Sequence, residues 1–117
     1  MKTSIRTELI QHVIETIHDQ DLTDFDELHF HAFNEDYYIV YHSRAEEWLK
    51  RHEISAFEAI EKIRDYEMDN FGEANTKINP ESVVNMYVYI LGEELLAEFN
   101  LDQDQESLVS DLKEELQ

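Results

Sequence analysis

Six histidines and no cysteine set the limits of metal and nucleophile chemistry in this chain. His29-x-His31 is a spacing that puts two imidazoles on one face of a β-strand, and His42 would add a third from a paired strand. Zinc needs three or four convergent ligands with hydrogen-bonded partners behind them. The pattern is therefore described more simply as a partly exposed hairpin face. Glu15-x-x-His18 is half of the carboxylate-bridged di-iron pattern, and the second Glu-x-x-His is missing. Asp19, Asp21 and Thr23 start like a calcium loop, but Asp24 stands where the sharp turn needs Gly and Phe30 where it needs Glu. Asn100, Asp102 and Asp104 repeat that start, with Gln105 and Asp111 in the same two places. There is no Gly-x-Ser-x-Gly elbow and no Gly-rich phosphate cradle. Among 28 carboxylates, choosing one acid–base pair would be arbitrary. No cofactor is implied and no enzyme is expected.

The carboxylates themselves carry the stronger signal. The 117 residues hold 28 Asp and Glu against 9 Lys and Arg, a formal charge of −19. Residues 7–43 contain no Lys or Arg, and neither do residues 78–112. Few acids there can relieve repulsion through i, i+4 ion pairs, so the compact state works against its own charge. Such a surplus exceeds what solubility needs. High-salt adaptation fits poorly, because Glu outnumbers Asp and the chain is rich in Ile, Tyr and Phe. A third explanation is imitation of a nucleic acid. Duplex DNA presents one charge per roughly 1.7 Å of axis. Carboxylates one helical turn apart repeat at roughly 5–6 Å. The candidate partner-binding acids are Asp19, Asp21, Asp24, Asp26 and Glu27, together with Glu93, Glu94, Glu98, Asp102, Asp104, Glu106 and Asp111. The same charge excludes direct affinity for nucleic acid or an anionic membrane.

The elements that must position these acids are read from apolar periodicity. Ile5, Leu9, Ile10, Val13, Ile14 and Ile17 mark a helix from about Ser4 to His18, capped by Thr3 or Ser4. Asp19–Glu27 reads as an acidic connection pinned by Leu22 and Phe25. Leu28–Phe33 and Tyr37–His42 read as two strands around an Asn34-Glu35-Asp36 turn. Ser43-Arg44-Ala45-Glu46 is a capping box for a short helix ending near His52, and Ser55-Ala56-Phe57-Glu58 is another, for a helix with Ala56, Ala59, Ile60, Ile63 and Phe71 on or near one face, stopped at Gly72. Asn79-Pro80 starts a helix to about Phe99, apolar almost all round from Val83 to Leu91 and hence expected at the centre. Asn100–Glu106 is a second acidic connection. Leu108, Val109, Leu112 and Leu116 mark a final short helix. The expected fold class is α+β and mostly helical, one β-hairpin packed with about five helices around the central apolar helix. Residues 1–117 are expected to form a single acidic globular domain. No apolar run approaches the roughly 20 residues of a spanning helix, and no signal core is present, so a cytoplasmic location is expected.

Small size, absence of Cys and strong acidity resemble the phage DNA-mimic proteins as a class: Ocr-like anti-restriction proteins, anti-CRISPR proteins and uracil-glycosylase inhibitors. Ala45-Glu46-Glu47-Trp48-Leu49, Tyr66-Glu67, Asn70-Phe71-Gly72-Glu73, and Asn79-Pro80-Glu81 through Ile90-Leu91-Gly92-Glu93-Glu94 also resemble small acidic phage proteins of unassigned function. The resemblance implies an inhibitor that offers carboxylates in place of phosphates to a basic DNA-binding host protein, such as a restriction, CRISPR or DNA-repair enzyme, in the host cytoplasm. The alternative is an acidic adaptor or assembly protein with an apolar interface. Tyr37, Tyr38, Tyr41 and the leucine stripe of the last helix are its candidate contacts, and that stripe would also serve a homodimer.

Overall fold

The computed structural model describes residues 4–20, 25–33, 44–74 and 79–117. They form six helices: α1 (Ile5–Gln20), α2 (Phe25–Phe33), α3 (Ala45–Arg51), α4 (Ala56–Phe71), α5 (Pro80–Leu96) and α6 (Gln105–Glu115). No strand occurs among the described residues, so the expected α+β class gives way to an all-helical one. The expected first strand, Leu28–Phe33, lies inside α2. Its burial follows the helical period: Leu28, His29, Ala32 and Phe33 are buried while Phe30 and His31 are exposed. Asp26 and Glu27 in the first turn suit the positive end of a helix dipole. The Asn34–Asp36 turn and the expected strand Tyr37–His42 lie outside the described residues.

The chain divides into two compact units. Unit 1 is Met1–Ala32 with Gly92–Gln117, and unit 2 is Phe33–Leu91. In unit 1, α1 packs on α6. Leu9, Ile10, Val13 and Ile17 of α1 are buried, as are Leu28 and Ala32 of α2 and Leu108, Val109 and Leu112 of α6. Each buried Leu, Ile or Val side chain among them stabilises the fold by about 1.5–3 kcal/mol relative to exposure. His12 is buried on the same side of α1, and its Nε2–H donates to the carbonyl of Ala32. That carbonyl is in the last turn of α2. Thr16 Oγ1 in turn donates to the carbonyl of His12 at 2.9 Å.

Unit 2 buries Trp48 of α3, Ala59 and Ile63 of α4, and Val83, Val84, Tyr87, Val88 and Ile90 of α5. The Trp48 ring lies 4.6 Å from His52 and 6.3 Å, edge-on, from Tyr87. Several local signals act as expected. Ser55 Oγ accepts from Glu58 N at 3.1 Å, Asn79 Oδ1 accepts from Ser82 N at 3.0 Å, and Ser4 Oγ accepts from Thr7 N at 3.1 Å. Gly72 ends α4 in the left-handed conformation, φ 77°, and its N–H returns to the carbonyl of Met68. The α3 start differs: Arg44 is the N-cap and makes no side-chain cap. Ser43, expected to supply it, lies outside the described residues. The turn after α3 places Glu53 at φ 56°, with Ile54 N donating to the carbonyl of Leu49 at 3.0 Å. A non-glycine residue there takes the position that Gly fills at Gly72. Among the described residues no helix is long and apolar enough to cross a membrane.

Candidate functional site

Every described member of the candidate acid set falls in unit 1, although the set comes from two sequence stretches some 66 residues apart at their nearest, Glu27 and Glu93. Unit 1 contains 16 Asp and Glu against three Lys and Arg, a net −13; unit 2 contains 12 against six, a net −6. The charge of the chain is thus concentrated in the unit assembled from its two ends. Asp19 is exposed in the last turn of α1, and Asp26 and Glu27 are exposed at the start of α2. Glu93 is half-buried and Glu94 exposed near the end of α5. Glu98 and Asp102 follow in the exposed turns before α6, and Glu106 and Asp111 are exposed on α6 itself. Asp21 and Asp24 lie outside the described residues.

These acids do not all stand on the same footing. Asp104 is the N-cap of α6: Oδ1 accepts from Ser107 N at 2.8 Å and Oδ2 from the Ser107 hydroxyl at 3.1 Å. The Ser107 amide first, and then its hydroxyl, hold the Asp104 carboxyl below its ordinary value. Asp111 Oδ2 accepts from Gln103 Nε2 at 2.8 Å. Asp26, Glu27 and Glu106 sit at helix N-termini, where the dipole favours a negative charge. Asp19, Glu93 and Glu94 sit near helix C-termini, where the dipole disfavours it. The last three are placed against the dipole of their own helix.

Glu98 is shared. Arg6 on α1 donates through Nη1 to Glu98 Oε2 at 2.8 Å and through Nη2 to Glu115 Oε1 at 3.1 Å. Those two carboxylates, Glu98 first, raise the guanidinium above its ordinary value. An open groove of about 730 Å³ is lined by His18 of α1 and by Gln105, Glu106, Val109, Ser110, Lys113, Glu114 and Gln117. Lys113 breaks the run of anions there, so the acid surface of unit 1 is interrupted along α6.

The histidine pattern does not assemble. On a helix, residues two apart point about 200° from each other. His29 is accordingly buried and His31 exposed, and His42 lies outside the described residues. Glu15 and His18 are both exposed on α1. Among the described residues no group of three or more His, Asp or Glu side chains is placed to hold a metal ion. The second calcium-like stretch has local work instead: Asn100 Oδ1 accepts from Asp102 N at 3.0 Å, and Asp104 caps α6. The leucine stripe of the last helix, a candidate apolar interface, is largely consumed by the fold, since Leu108 and Leu112 are fully buried. Tyr37, Tyr38 and Tyr41 lie outside the described residues.

Two features escaped the sequence reading. One is the Arg6 clamp, which joins residues 92 and 109 positions apart and leaves no local trace. The other is the exposed apolar side of α4. Phe71, expected on the apolar face with Ala56, Ala59, Ile60 and Ile63, is instead exposed together with Phe57 and Met68, and Ala56 is exposed too, while Ala59 and Ile63 are buried. Compared with known proteins, the sequence matches no family model, no curated protein and no solved structure.

Proposed function

We propose that this protein inhibits a basic, DNA-binding host protein by occupying its DNA site with the acid surface of unit 1. The observation that carries the reading is the net −13 of that unit, built from both ends of the chain. Asp19, Glu93, Glu94 and Asp102 act as phosphate surrogates. They are exposed or half-exposed, and the helix dipoles give no local reason for the first three. Each contributes little alone, since exposed ion pairs are worth about 0–1 kcal/mol. Their sum steers association and makes it strongly salt-dependent.

The test is binding to a panel of DNA-binding enzymes: a restriction endonuclease, a CRISPR effector and a uracil-DNA glycosylase. Affinities are measured from low to moderate salt, with duplex DNA as competitor. One member is expected to bind competitively with DNA, with affinity that falls as salt rises. Reversing Asp19, Glu93, Glu94 and Asp102 to Lys is expected to weaken binding and flatten the salt dependence. A panel in which nothing competes with DNA, or a reversed variant with unaltered affinity and salt slope, would refute the proposal.

A further inference from the structure

Helix α4 carries three large apolar side chains that the fold leaves in solvent: Phe57 is 70% exposed, Phe71 63% and Met68 54%. At 100° per residue they fall within an arc of about 60°, over a length of about 21 Å. Together they expose roughly 400 Å² of apolar surface, with Phe57 at one end of the stripe, Met68 and Phe71 at the other, and Arg64 between them. The patch is held in place rather than frayed. Ser55 caps the start of α4, Gly72 closes its end, and the Phe71 ring lies edge-on to Tyr66 at 6.2 Å. The side that α4 gives to its own core is different and is marked by Ala59, Ile63 and Glu67.

The neighbours of this stripe choose its occupant. Glu58, Glu61, Asp65 and Asp69 are all exposed, and by the same helical geometry they form one flank of the stripe, within an arc of about 80°. Arg64 is the single cation within the stripe. Its stem can lie along apolar surface, and Glu61 stands three residues before it on the same face. A second copy of the chain fits this pattern badly. In an antiparallel pair of identical helices like flanks meet, so the acid row would face the acid row of the copy. A parallel pair would set the acid row against the side of the helix that each copy already buries in its own core. A cationic amphipathic helix fits both parts at once, with its apolar face on Phe57, Met68 and Phe71 and its Lys or Arg flank along the acid row.

We infer that α4 is a docking surface for a cationic amphipathic helix of a partner protein. The surface belongs to unit 2 and does not rest on the acid array of unit 1. Met68 lends it adaptability, because an unbranched thioether side chain repacks against varied partners. The Phe anchors set the register at the two ends.

Two synthetic 18-residue peptides of Leu and Lys test this. They have the same composition, one with Leu on a single helical face and the other with Leu spread around the helix. Any polycation binds a chain of charge −19 at low salt, so affinities are compared at about 0.3 M salt, where exposed charges are screened. The amphipathic peptide is expected to bind roughly tenfold or more tighter than its control. The double variant Phe57→Ser, Phe71→Ser should abolish that preference while keeping its helix content. Met68→Lys, a second variant, should weaken the amphipathic peptide at least as much as the control. Reversal of Asp19, Glu93, Glu94 and Asp102 should lower both affinities alike and leave their ratio intact, which separates this surface from that of unit 1. Equal binding of the two peptides, or a preference that survives loss of both Phe side chains, would overturn the inference. So would a concentration-dependent dimer in sedimentation that the double variant abolishes, since that result assigns the face to a second copy.

Discussion

Arg6 reaches two carboxylates at once, and its replacement separates stability from binding. Arg6→Ala removes the contacts to Glu98 and Glu115. Both pairs are substantially solvated, so the loss is about 1 kcal/mol or less and shrinks with salt. Thermal melts at low and high salt read it directly. The same change takes one positive charge out of unit 1, so affinity for a basic target should rise even as the melting temperature falls. A purely structural clamp predicts the fall alone. Asp104 offers a second residue-scale test. Its carboxyl is held below the ordinary value by the Ser107 amide and hydroxyl. A lowered folded value means that its stabilising contribution is complete above the unfolded value near 3.8 and is lost as pH falls through the folded one. Asp104→Asn keeps a good cap without a titrating group. Its melting temperature should track the wild type near neutrality and fall less steeply than the wild type below about pH 4. Asp104→Ala should be less stable than both at neutral pH, since Ala cannot accept from the Ser107 amide.

At the scale of single elements, α6 decides between a buried and an exposed use of the same leucines. Leu108 and Leu112 are fully buried in unit 1, where α6 packs on α1. Leu112→Ala is therefore expected to cost about 2–5 kcal/mol in chemical denaturation, as a cavity-forming core truncation does. A loss below about 0.5 kcal/mol would place that side chain on an accessible interface instead. The helices were largely legible from local chemistry. Ser55 with Glu58, Asn79 with Pro80, and Gly72 each announce a boundary that the backbone then makes. What misled was the stretch Leu28-His29-Phe30-His31-Ala32-Phe33, where a six-residue run of aromatic and apolar residues satisfies both periods. Leu28 with Ala32, and His29 with Phe33, are i, i+4 pairs, and this longer period wins once His12 reaches across to the Ala32 carbonyl. That contact is set by packing between helices, which no short window contains. The acid set was readable as composition. Its gathering into one unit was not, because it depends on which chain segments pack together.

Across the whole molecule the opposing terms are charge repulsion and apolar burial. A net −13 on unit 1 works against its compact state, and mobile ions relieve it. The melting temperature is expected to rise between about 0.02 and 0.5 M NaCl, the range over which the Debye length falls well below the dimensions of a small domain. A flat or falling curve would mean that ion pairs outweigh repulsion. Replacing NaCl with an equal ionic strength of a different monovalent salt should give the same curve if screening is the cause. Unit 1 is also assembled from Met1–Ala32 and Gly92–Gln117, with the whole of unit 2 between them in the chain. Closing that intervening loop carries an entropy cost that the contiguous unit avoids. On the ribosome, where synthesis proceeds at about 5–20 residues per second, unit 2 has all its parts while α1 still waits for α6. For those seconds Leu9, Ile10, Val13 and Ile17 have no C-terminal helix to cover them, and the nine acids that Gly92–Gln117 contributes to unit 1 have yet to join the seven of Met1–Ala32, so burial and repulsion arrive together with the last segment of the chain.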